Sequence, residues 1–156
     1  MVVSTATYIS DTIKFLRDDL SSNITDPISA SRTGRERFVM TSYALRDVKF
    51  PIISIRHKGS PLPTRLGMQS ELHYVPILIE VKIRARNEIE RDSLTQQVIN
   101  RIRDNEFGAS SSTVNELHDM EILSNQPSDI QDDASKGTGV VKAQVIMIQY
   151  KFVLGS

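Results

Sequence analysis

The run from Val140 to Leu154, VVKAQVIMIQYKFVL, constrains the fold more than any other stretch of the chain. In an extended backbone successive side chains point to opposite faces. Ile146, Ile148, Tyr150, Phe152 and Leu154 then share one face, while Val141, Ala143, Val145, Met147 and Val153 share the other, with Lys142 outside the register. A strand that is apolar on both faces has to be covered on both. We expect a helix on one side and another subunit on the other.

A second long strand is expected from Leu72 to Arg86, and it is built differently. Val75, Ile77, Ile79, Val81 and Ile83 fall on one face, Glu80, Lys82, Arg84 and Arg86 on the other. One face belongs on a core, and the far half of the other is wet or ion-paired. Two shorter strands precede it, Phe38 to Tyr43 and Pro51 to His57, the latter β-branched and led by a proline that suits a strand's first residue. Leu117 to Leu123 alternates His118, Met120 and Ile122 with Asp119 and Glu121 and reads as a strand.

Two helices complete the pattern. From Ser4 to Leu20, the residues Tyr8, Ile9, Ile13, Leu16 and Leu20 recur at three- and four-residue intervals. The second helix starts at Asn87, with Glu90 three residues on in a capping-box arrangement, and Ile89, Leu94, Val98 and Ile102 form its apolar stripe, widened by Ile99. Acidic residues in its first turns and Arg101 and Arg103 in its last suit the helix dipole. The order helix, three strands, helix, two strands predicts an α+β fold. It is a single domain over 1–156 with a mixed, mostly antiparallel sheet of about four to five strands and both helices packed on one face. Stretches 21–37, 58–70 and 104–139 are expected to be mobile loops, rich in Ser, Thr, Asp, Gly and Pro.

Composition narrows the class of protein. The chain has 156 residues, 39% hydrophobic and 24% charged, which is globular. The absence of cysteine excludes disulfides, thiolate metal sites and cysteine nucleophiles. No run of 18 apolar residues occurs and Met1 to Ser10 has neither a basic region nor a long apolar one, so neither a membrane partner nor a secretory signal is expected. A net charge of zero argues against a strongly basic nucleic-acid binder. That zero conceals opposite blocks: residues 1–103 hold 16 basic and 11 acidic side chains, 104–138 hold one basic and eight acidic, and 139–156 add two lysines. Such blocks provide patches that can meet on neighbouring copies.

Evidence for chemistry is thin. Glu80-Val81-Lys82 matches the Glu-x-Lys of restriction-endonuclease-like nucleases, in which the carboxylate holds a divalent metal and the lysine stabilises the attacking water. Arg84 and Arg86 would take backbone phosphates. The preceding strand PIISIRH offers no metal-binding aspartate, however, and alternating charges on a solvated strand face have a simpler use in cross-strand ion pairs. His57, His73 and His118 lack metal-ligand spacing, and no nucleophile elbow, phosphate loop or dinucleotide fingerprint occurs. No catalytic residue, metal or cofactor is expected.

In the pattern of its elements the chain resembles the tail-terminator and tail-completion (neck) proteins of tailed bacterial or archaeal viruses. An amphipathic helix (YISDTIKFLRDDL) and a polar loop are followed by a proline-led strand (FPIISIRHKGS). A long alternating strand then runs into a helix (HYVPILIEVKIRARNEIERDSLTQQVINRIR), and a closing strand (VVKAQVIMIQYKFVL) follows. The resemblance covers roughly residues 5–103 and 139–154. It implies a non-enzymatic virion protein, made in the host cytoplasm, that forms a ring, usually of six subunits, at the head-proximal end of the tail. The ring caps the tail tube and joins it to the head–tail connector, and genomic DNA passes through its lumen without being read. On this reading the acidic arm 125–139, with Asp129, Asp132 and Asp133, contacts another chain at the basic loop residues Arg32, Arg35 and Arg37 or at the Arg84/Arg86 strand face. The alternatives are a metal-dependent nuclease using Glu80 and Lys82, and a non-enzymatic cellular adaptor domain.

Overall fold

A computed structural model of the chain describes residues 7–34, 36–41, 49–60, 64–65, 73–106, 117–128, 130–131 and 140–154. The elements run α1 (Tyr8–Asn23), β1 (Val39–Met40), β2 (Ile52–Gly59), β3 (Thr64–Arg65), β4 (His73–Ala85), α2 (Glu88–Glu106), β5 (Leu117–Pro127), β6 (Ile130–Gln131) and β7 (Val140–Leu154). The sheet has the order β1-β2-β4-β7-β5, with the short strands β3 and β6 pairing with β4 and β7. Only β1 runs parallel to its neighbour; every other pairing is antiparallel. The expected α+β fold, with a mixed and mostly antiparallel sheet, is the one observed.

The two longest strands lie side by side at the centre, paired without a break from His73↔Leu154 to Ala85↔Lys142. This register places Val75, Ile77, Ile79, Val81 and Ile83 of β4 beside Phe152, Tyr150, Ile148 and Ile146 of β7 on one face. All of these are buried, together with Ile53 and Ile55 of β2. Both helices lie on this face. Ile13, Leu16 and Leu20 of α1 and Leu94, Val98 and Ile102 of α2 complete the same core cluster. Each such side chain contributes about 1.5–3 kcal/mol by leaving water, so this layer carries most of the stability. Tyr8 stacks on Phe152 at 5.0 Å, fixing the start of α1 over β7. Arg101 of α2 donates to both carboxylate oxygens of Asp19 in α1, at 2.9 and 2.7 Å, and ties the helices together. No helix among the described residues is long and apolar enough to cross a membrane.

Several local expectations need correction. Helix α1 continues through Ser21 and Ser22 to Asn23. In the stretch after it, Ile24 is buried, Ser29–Ser31 forms a 3-10 turn, and Arg32 is anchored as described below. Ile89 lies outside the stripe of α2 and is 84% exposed. At 3.6 residues per turn it stands about 140° from Leu94, while Thr95 takes a buried place and donates to the Arg91 carbonyl at 2.7 Å. The helix start is also shifted. Asn87 Oδ1 does accept from the Glu90 N–H at 2.9 Å, but the Glu90 carboxylate reaches back to the backbone N–H of Arg86, not of Asn87. Strand β5 extends beyond Leu123 to Pro127, taking the first residues of the expected acidic arm into the sheet. The Asn125 side-chain oxygen there accepts from the buried Gln144 Nε2 at 2.6 Å.

Candidate interaction surface on the open sheet face

The alternation that builds the core also builds the opposite face of the same strands, while both helices contribute their buried apolar residues to the core face. On β4 this face carries Tyr74, Pro76, Leu78, Glu80, Lys82 and Arg84 in sequence. The register sets Glu80 between Arg56 of β2 and Met147 of β7, and Lys82 between Ser54 and Val145. On β7's far side Ser124 lies opposite Met147, Gln126 opposite Val145, and Glu121 opposite Gln149. The face thus changes across the sheet. It is cationic over β2 and β4 and apolar along Val145, Met147, Leu78 and Pro76, which are all half-buried. Over the edge strand β5 it is polar, with Glu121 exposed. Toward residue 141 the face is closed, with Ile52, Val141 and Ala143 buried.

Glu80 is the hub of the cationic part. Arg56 Nε donates to its Oε1 at 2.7 Å, and Lys58 Nζ lies 3.3 Å from its Oε2. Lys58 follows Arg56 by two residues on β2, and the β2 register shifts between His57 and Gly59, where Gly59 adopts φ 145°, a conformation that L side chains rarely take. Arg84 donates to Ser54 Oγ at 2.9 Å. Burial pushes the Glu80 carboxyl up, but hydrogen bonds and charge from Arg56 and Lys58 more than offset this and hold it below the usual carboxylate value. Lys82 is held below the ordinary lysine value, first by burial and then by Arg84, Arg56 and Lys58, against the pull of Glu80. Arg56 and Lys58 thus share one carboxylate, with Lys82 two residues along the same strand face.

The expected interface residues fall into three groups. Arg84 lies on the open face. Arg32 and Arg86 are committed within the chain. The Arg32 side chain is 6% exposed. Its guanidinium binds the Asp26 carboxylate, donates to the Lys49 carbonyl at 2.8 Å and to the Pro51 carbonyl, and lies 5.6 Å from the Phe38 ring centre. Arg86 forks onto Glu90, with Nε 3.2 and 3.1 Å from the two oxygens. Burial raises the Glu90 carboxyl, but the Arg86 guanidinium, backbone N–H and charge together bring it below its usual value. Arg37 is exposed; Arg35, Asp129, Asp132 and Asp133 lie outside the described residues. Sequence reasoning missed Arg56 and Lys58, although their two-residue spacing after Ile53 and Ile55 marks them as strand residues.

Glu80 and Lys82 do face the same way, as a nuclease would need. The two Glu80 oxygens, however, meet Arg56 and Lys58 where a divalent cation would have to sit. Among the described residues no group of three or more His, Asp or Glu side chains is placed to hold a metal. No protein-family model matches the chain, and neither does any curated protein.

Proposed function

We propose that the protein is a structural virion subunit of the tail-terminator type. It forms a ring at the head-proximal end of a viral tail, caps the tail tube and receives the head–tail connector. The one-sided sheet carries this reading. Both helices are spent on one face, and the other leaves Leu78, Val145 and Met147 half-buried beside a cationic cluster, a surface suited to another protein chain. The protein's partners are copies of itself in a ring of about six, whose head-to-tail contacts pair two different patches, together with the tube and connector proteins. Genomic DNA passes through the lumen without being read.

Sedimentation and negative-stain microscopy of the purified protein test the reading, followed by its addition to polymerising tail tube protein. Rings that stop tube growth are expected. A protein that forms no ring and leaves tube length unchanged would exclude the role. The nuclease alternative makes the opposite demand: Mg²⁺-dependent DNA cleavage, abolished by alanine at Glu80 and Lys82.

A further inference from the structure

We propose that two copies of the free chain pack open face against open face, about a two-fold axis that runs parallel to the strands between β4 and β7. The pair goes beyond the terminator reading and does not depend on it. An isologous contact closes on itself and cannot propagate into a ring. The pair is therefore the resting form of the subunit, and its face is freed when another partner takes it.

Across the sheet, one row of the register runs Gly59, Leu78, Gln149, Glu121, and the next row on this face runs Arg56, Glu80, Met147, Ser124. At the β2 margin, Lys58, next to Gly59, and Arg56 share the single Glu80 carboxylate. At the β5 margin, Glu121 is exposed and makes no ion pair among the described residues. Between the margins lie the half-buried apolar side chains of Leu78, Val145 and Met147. One continuous face therefore carries cations at one side, apolar surface in the middle and a carboxylate at the other side.

Such a face complements its own copy in one orientation. Strands β4 and β7 are flanked by β2 on one side and β5 on the other. A two-fold axis parallel to the strands lays the β5 margin of each copy over the β2 margin of the other at the same level, so that Glu121 meets the Lys58 margin, twice. An axis across the strands would instead set β5 on β5 and Glu121 against its own copy. In the favoured orientation Leu78, Val145 and Met147 flank the axis, and each leaves water beside its counterpart. Aligned sheets about 10 Å apart pack in this manner in β-sandwiches.

The absence of cysteine allows a direct test. Met147→Cys sets a thiol near the axis, beside its own copy, and a short bismaleimide should join two chains. Gln97→Cys, exposed on α2 over the other face, should not cross-link. Sedimentation equilibrium of the parent should give a dimer that salt weakens. Met147→Lys brings like charges together at the axis and should raise the dissociation constant about 10-fold or more, with a urea midpoint close to the parent's to establish that it folds. Glu121→Lys should weaken the pair too. Its heterodimer with the parent keeps one of two equivalent contacts, so its dissociation constant should fall near the geometric mean of the two homodimers. A monomeric parent, a Met147→Cys variant that does not cross-link, or a folded Met147→Lys variant that pairs like the parent would each overturn the proposal. So would a monomer that retains DNA on the β2 margin. A dimer that neither forms rings nor alters tail tube length leaves the pair standing and ends the terminator reading; rings on the tube from a monomeric parent do the reverse.

Discussion

The two faces of this sheet are made by the same strands, one residue out of step, and they are built on different principles. On the helix face every inward residue of β4 from Val75 to Ile83 is at most 3% exposed. On the other, Pro76, Leu78, Lys82 and Arg84 remain half-buried, and the one buried charge, Glu80, is held by cations of the adjacent strand. The helix face specifies a unique packing through shape and volume. The open face is held by cross-strand pairs whose worth is small in water, and it retains both apolar surface and charge.

A step of one residue along β7 makes the sharpest test. Ile148→Ala should cost about 3–4 kcal/mol through lost burial and the cavity left behind. Met147→Ala, next to it on the open face, should cost no more than about 1 kcal/mol. Urea unfolding of dilute protein in high salt, where subunit contacts are weakest, measures both. Similar costs would mean that the open face is packed as tightly within the subunit as the helix face, and the comparison would collapse.

The basic loop holds a second contrast of the same kind. Arg32→Met should cost about 2–3 kcal/mol, because it strips hydrogen bonds from two backbone carbonyls and leaves the Asp26 carboxylate with the Ile28 N–H but without its cation. Arg37→Ala, at an exposed position in the same loop, should change stability by about 0.5 kcal/mol or less. Equal effects would show that Arg32 is not the anchor its contacts describe.

How much of this could be read from the residues depends on how many neighbours a feature needs. The strand Val140–Leu154 was legible to its ends because alternation is a local signal, and the helix cover expected on one of its two apolar faces is observed. Helix α2 was legible too, and the place of Ile89 could have been found by keeping strictly to 3.6 residues per turn. Arg32 was not legible. Its partners Lys49 and Pro51 lie 17 and 19 residues away, and nothing local separates an anchored arginine from a solvated one. Glu80 and Lys82 matched a metal motif by spacing alone, and the simpler reading as cross-strand ion pairing could not name the partners, which lie on the adjacent strand at Arg56 and Lys58. The bulges of β5, which expose Leu123, arise from pairing with β7 and have no signature in β5 alone.

Glu80→Gln probes the open face through pH. The folded state holds this carboxyl below its unfolded value, so ionised Glu80 stabilises the fold above the unfolded pKa. That contribution is lost as pH falls through the folded one. At neutral pH the substitution should cost about 1–2 kcal/mol, the usual scale for a charge-assisted hydrogen bond with one exposed partner. Below the folded pKa the variant and the parent should converge, since the parent carboxyl is then also neutral. Urea midpoints measured from neutral to strongly acidic pH read this directly. A constant difference across that range would mean that Glu80 acts by packing and not by charge.

The smallest effect belongs to the covered face, where one polar atom is out of place. The Tyr150 hydroxyl is buried and has no hydrogen-bond partner among the described residues. Burial, and secondarily the charge of Asp19, hold its proton more tightly than in an ordinary phenol. A hydroxyl removed from water with no partner costs free energy, and removing it while keeping the ring leaves the packing intact. Tyr150→Phe should therefore be neutral or stabilise the fold by up to about 1 kcal/mol, in contrast to nearly every other substitution on this face. Thermal and urea unfolding would both detect a loss of stability, and such a loss would assign the hydroxyl a partner within the core. A neutral or stabilising result would mark the sheet side of this layer around Tyr150 as held by apolar packing, with directed polar contacts between elements at Asp19–Arg101 and Asn125–Gln144.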